Sequence, residues 1–175
     1  MNTLVNDFAE EYRRWRVVGE KAIAQTPDDA LNRAPAPDGN SAAILMRHVG
    51  GNLASRFTDF LASDGEKPWR DRDTEFETRD FTRAEVNATW ARGWDAVETA
   101  LATLTDADLA RTVQIRGVSL TVHAALCRSL AHIANHVGQL ILLGRMYATD
   151  WQTLSIPRGG SQQYNQNPTL EKRPH

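Results

Sequence analysis

The stretch AHIANHVGQL, residues 131–140, decides the fold. It sets His132 and His136 four positions apart in a segment otherwise apolar enough to lie inside a helical protein. In an α-helix, residues i and i+4 stand one turn apart on the same face, so both imidazoles can aim a ring nitrogen at one point. Working outward from the pair, the apolar spacing predicts a helix from about Val122 to Tyr147 with only Arg128 and Arg145 charged inside it. A helix this apolar belongs at the centre of a bundle.

Three more helices can be read upstream. Leu4, Phe8, Trp15, Val18 and Ile23 recur at helical spacing among charges, and Thr26-Pro27 ends that run because the residue before proline avoids the α region. After the loop-like RAPAPDG (33–39), Asn40 or Ser41 caps a second run through Ile44, Leu45, His48, Leu53, Phe57, Phe60 and Leu61, expected to end near Asp64-Gly65 with the glycine in a left-handed cap. Thr82-Arg83-Ala84-Glu85 has capping-box spacing and opens a third helix carrying Val86, Trp90, Trp94, Val97 and Leu101, ending before Thr105. Residues 66–80, EKPWRDRDTEFETRD, carry charges and aromatics without periodicity and predict a long ordered loop. RTVQIRGVSL (111–120) alternates well enough for a short hairpin or extended connection, with Val113, Ile115 and Val118 sharing a face around Gly117. The tail, 151–175, has no period and is expected to be non-helical. The expectation is one all-α domain over 1–175, a four-helix bundle.

Composition narrows the function classes. A chain of 175 residues can bury a core without disulfides, and one cysteine, Cys127, excludes an internal disulfide and fits a reducing compartment. With 20 Lys plus Arg against 22 Asp plus Glu, nothing draws the protein toward nucleic acid or anionic lipid. Acids stand in MNTLVNDFAEEYRRW where a signal peptide would have its apolar core, and apolar runs such as LILL at 140–143 are far too short to span a bilayer. A cytoplasmic protein is expected.

Two histidines do not make a catalytic metal site, which needs about three protein ligands and an open position. His48 in LMRHVGGNL is the only histidine on the second helix, and bundle cores build such sites from facing helices. Gly50 and Gly51 beside it cost about 1 kcal/mol each against alanine inside a helix, tolerable if something must approach the backbone closely. Gly138 beside His136 has the same reading. His123 lies about half a revolution from His132 and should face away, sharing its face with Cys127, which is expected as a small buried packing residue. His175 is expected to be solvated on the terminus. No carboxylate lies between Ser119 and Ala148, so HExxH-type hydrolysis has no base here. Three neutral imidazoles leave a dication uncompensated, and the open position should favour hydroxide or a thiolate.

His48 together with HIANHVGQ resembles the DinB-like superfamily, whose pattern is one histidine on the second helix and HxxxHxGQ on the last. NLASRFTDFLASDGEKPWRDRDTEFE (52–77) and LSIPRGGSQQYN (154–165) look like a DinB-like subfamily of unknown function. The resemblance implies an up-down-down-up bundle, often a homodimer, holding zinc or nickel at His48, His132 and His136. It also implies kinship with transferases that use a low-molecular-weight thiol on a small electrophile. A metal-dependent hydrolase of small esters or amides, and a non-catalytic stress-associated metal-binding scaffold dimer, are the alternatives. The shared segments supply pocket candidates. Asn52 stands one turn after His48 and Gln139 three residues after His136, where either can orient a ligand histidine or simply pack. The tail offers Arg158; Trp69 and Arg70 can cover the site, brace the fold, or form an ordinary solvated salt-bridge network.

Overall fold

Four long helices carry the chain: α1 (Leu4–Gln25), α2 (Ala42–Phe57), α3 (Arg83–Thr103) and α4 (Val122–Tyr147). The computed structural model describes residues 3–169, so His175 lies outside the described residues. Each helix starts on a side-chain cap: Thr3, Ser41, Thr82 and Thr121 each accept the N–H three residues on. Thr82 and Glu85 form the expected capping box. α2 packs chiefly on α3 and α1 on α4, while a smaller α2–α4 contact brings the histidines of the two helices together. Tyr12, Leu45, Leu53, Trp94, Leu126 and Ile133 are among the fully buried side chains between the helices. The Tyr12 hydroxyl donates to the Leu126 carbonyl at 2.8 Å, so its buried polar end is satisfied.

The chain is mostly helical rather than all-α. Strands β1 (Thr112–Ile115) and β2 (Val118–Thr121) pair antiparallel, with Val113 opposite Leu120 and Ile115 opposite Val118. Their two-residue turn has both Arg116 and Gly117 at positive φ, 56° and 72°, the primed geometry that matches strand twist. A fifth helix, α5 (Ser161–Gln166), corrects the expectation of a non-helical tail; it buries none of its residues, so no apolar stripe announces it.

α2 stops at Phe57, earlier than periodicity suggested. Thr58 turns extended and Asp59 takes φ 48°, so the left-handed position is Asp59 and not Gly65. The apolar period misled because Phe60 still reaches the core from the turn, stacking on Phe57 at 5.2 Å. Gly65 pairs with the hairpin instead, its N–H donating to the Gln114 carbonyl at 2.8 Å. The segment after α2 is ordered, as expected, and includes a 3-10 turn at Asp73–Phe76, but it is far from fully solvated: Lys67 and Glu75 are buried.

Close helix approach explains Gly50. A Cβ there would stand 2.7 Å from the Thr89 carbonyl carbon of α3, and one at Gly93 would stand 2.7 Å from Gly50 Cα. The α2–α3 crossing is therefore backbone against backbone. Gly138 departs from its expectation: a Cβ there would meet nothing within 4 Å.

Candidate metal centre

The i, i+4 spacing on α4 does what helical geometry allows. His132 Nε2 stands 3.2 Å from His136 Nε2, and His48 Nε2 reaches across from α2 to 3.2 Å from His132 Nε2. Each ring offers one ligand nitrogen, and the three lie within 4.8 Å of one another. Nitrogens about 2.0–2.1 Å from a tetrahedral zinc stand roughly 3.3–3.4 Å apart, close to the 3.2 Å of the two pairs that His132 makes.

The proton inventory favours a cation. His48 Nδ1 lies 2.8 Å from Glu75 Oε2, and that carboxylate accepts from Arg70 Nε at 2.8 Å and Nη2 at 2.9 Å. A carboxylate so placed takes the His48 proton on Nδ1 and leaves Nε2 as a lone pair. His132 Nε2 then has at most one proton to share between two nitrogen neighbours, and a cation satisfies all three lone pairs. Burial, with the charges of His136, His48, Arg70 and Arg56 adding to it, pushes the His132 pKa down to about 4. Burial and the nearby His48 lower His136 as well, against an opposing contribution from Gln139. His132 is thus neutral near neutral pH, the form in which an imidazole can ligate a metal.

Glu75 is the residue sequence reasoning missed. It sits in the aperiodic segment, 27 positions from His48, where no spacing rule reaches. Burial would raise its pKa, but the hydrogen bonds from His48 and Arg70 and the Arg70 charge outweigh that and lower it. Gly51 makes room for it: a Cβ there would lie 3.0 Å from Glu75 Cδ. Arg47 donates to the Glu75 carbonyl at 3.3 Å, and Phe76 lies against the His48 ring at 4.8 Å. The outer charge that the α4 sequence lacks is therefore delivered through His48 from the segment after α2.

The other candidates divide. Asn52 lines a cavity of about 380 Å³ together with His48 and His132. Gln139 adjoins His136, although His136 Nδ1 is buried with no well-formed hydrogen bond. Trp69 is 57% exposed and does not line that cavity; Arg158 is exposed on the tail and does not line it either. Arg70 braces Glu75 rather than joining a solvated network, its side chain only 2% exposed. His123 does face away, packing on Phe8 at 5.6 Å, while Cys127 is exposed rather than buried, with Sγ 3.8 Å from His123 Nε2.

A family described as "Protein of unknown function (DUF1572)" matches residues 1–160. The chain belongs to that family. This DUF1572 member is also similar to the crystal structure of a DinB-like protein, YjoA, from Bacillus subtilis. The two are 19% identical with a TM-score of 0.60, over 84% of this chain and 96% of that one. At that identity the likeness shows the fold, which is DinB-like, as the histidine motif implied. No curated protein matches the chain.

Proposed function

We propose that His48, His132 and His136 hold a divalent ion, zinc or nickel, and that the DUF1572 member is a metal-dependent transferase of a low-molecular-weight thiol to a small electrophile. The convergence of three Nε2 atoms within 4.8 Å beside a cavity of about 380 Å³ carries the reading. A divalent ion held there would supply a Lewis acid able to lower the pKa of a thiol or water. The chain's own residues hold and orient. Glu75 and Arg70 fix the His48 ring, and apolar side chains of α2 and the hairpin form part of the cavity wall. No described carboxylate lines that cavity. A thiol, with pKa about 8.5 before activation, needs no dedicated base, whereas attack by water benefits from one, and this favours thiol transfer over hydrolysis.

Around the site we propose the up-down-down-up bundle that the α1–α4 and α2–α3 pairings support, in a cytoplasmic homodimer. Among the described residues no helix is long and apolar enough to cross a membrane. Leu142 and Met146, 59% and 54% exposed one turn apart on α4, are the apolar surface a second copy would cover.

Elemental analysis of untagged protein tests the metal: about one ion per chain is expected, lost in His136→Ala. The metal-loaded protein is then mixed with an electrophile and bacillithiol, mycothiol or glutathione. Conjugation no faster than the uncatalysed rate with every thiol removes the transferase, and ester turnover without thiol promotes a hydrolase in its place.

A further inference from the structure

The cavity beside the histidines has a composition that metal binding does not require. Its wall includes Arg56, Arg70, Arg72, Arg116 and Arg128 and no carboxylate, while Phe57, Phe60, Ile115 and Leu120 give it an apolar floor. The acids that partner these arginines stand outside the wall and are three against five: Glu66 accepts from Arg56 at 3.1 Å and Arg116 at 2.9 Å, Glu75 takes Arg70, and Asp73 lies 3.8 Å from Arg72. Arg128 has no ion pair among the described residues. Guanidiniums therefore outnumber the carboxylates holding them, and a divalent ion at the histidines would add to the same sign.

Arg70 sharpens the point. Its Nε and Nη2 are spent on Glu75, and its buried Nη1 has no hydrogen-bond acceptor, the nearest carboxylate oxygen being Glu66 Oε1 at 3.9 Å. A buried charged donor left unmade is costly, and it persists where a bound group completes it. Planar guanidiniums match a carboxylate's two oxygens.

We propose that this cavity binds a small organic acid, its carboxylate among the arginines and its apolar body on the aromatic floor, so that the electrophile is an anion presented to the histidine site. The assignment of the acid as electrophile rests on the metal-dependent reading above; the cavity's preference for a carboxylate does not.

Phenylacetate and the isosteric, neutral phenylacetamide are titrated by calorimetry into the full chain, zinc-loaded and chelator-treated. The acid is expected to bind about tenfold tighter or more in both forms, the equivalent of one charge-assisted hydrogen bond. That preference should weaken with added salt. It should shrink in Arg128→Gln, whose exposed position on α4 leaves folding intact by circular dichroism, and in Arg70→Lys. Equal binding of acid and amide overturns the proposal. So does a preference confined to the zinc-loaded form and indifferent to both arginine substitutions, since the acid would then simply ligate the cation. Zinc titrated in parallel separates the two readings: zinc bound without the preference sinks the acid site alone, and the preference without zinc binding sinks the metal centre alone.

Discussion

Three imidazoles within bonding reach of one another repel if protonated, and His132 sits between the other two. Its pKa is depressed from 6.5 to about 4. The unfolded chain therefore binds more protons than the folded one between those values, and metal-free stability should be full above pH about 6.5 and fall as pH drops toward 4. Urea unfolding of chelated protein across that range checks it; the decline should flatten in His132→Asn. The metal acts in the other direction. His132→Ala should lower the melting temperature against metal-loaded wild type and leave it near that of chelated wild type, because ligand binding to the native state stabilises by mass action. A comparable loss in both would make His132 a packing residue. Glu75→Gln should weaken zinc binding about 10- to 100-fold while keeping all three ligands, read by competition with a chelating dye. At this scale the three histidines were legible, since i, i+4 spacing and a single histidine on α2 are local patterns. Glu75 was not: it lies in a segment without periodicity, and its burial depends on Arg70 and on the gap at Gly51, neither of which spacing reveals.

Among the elements, the α2–α3 crossing fixes where His48 points. Gly50→Ala would press a methyl into the Thr89 carbonyl, backbone that cannot rotate aside, and should cost about 1–3 kcal/mol in chemical denaturation. Gly138→Ala on exposed α4 should instead be neutral or stabilising by up to about 1 kcal/mol, since its Cβ meets only solvent. A destabilised Gly138→Ala protein would mean that a partner occupies that space. The glycine beside His48 and the glycine beside His136 are alike in sequence and opposite in role, and only the packing tells them apart. The four helices declared themselves through period, α2 and α3 through their caps as well, and the hairpin through alternation; the Thr3 and Thr121 caps were not read. The end of α2 did not declare itself, because Phe60 keeps an apolar rhythm after the backbone has left the helix at Thr58.

Over the whole molecule, the proposed dimer makes Leu142→Glu with Met146→Glu a monomer by sedimentation, with the helical spectrum unchanged; wild type should sediment as twice the chain mass. The helical character was readable from the apolar period, although the hairpin makes the chain mostly helical rather than all-α, and the tail was not readable, since α5 buries nothing. A last consequence concerns Asp64. Its carboxylate accepts the Arg116 and Gly117 N–H groups at 2.8 and 2.7 Å, and the Glu66 N–H at 2.7 Å, and these bonds hold its pKa down to about 2. The hairpin that carries Ile115, Val118 and Leu120 is thus tethered at its tip by the Asp64–Glu66 segment, with Glu66 also taking the Arg116 side chain and the Gly65 N–H the Gln114 carbonyl, and rooted at its base in α4. Asp64→Ala should speed amide exchange at Arg116 and Gly117 while the helices stay protected. The outer side of the chamber is in effect a hinged panel clasped from one short segment, and exchanging it offers a route to new ligand preferences on the same scaffold.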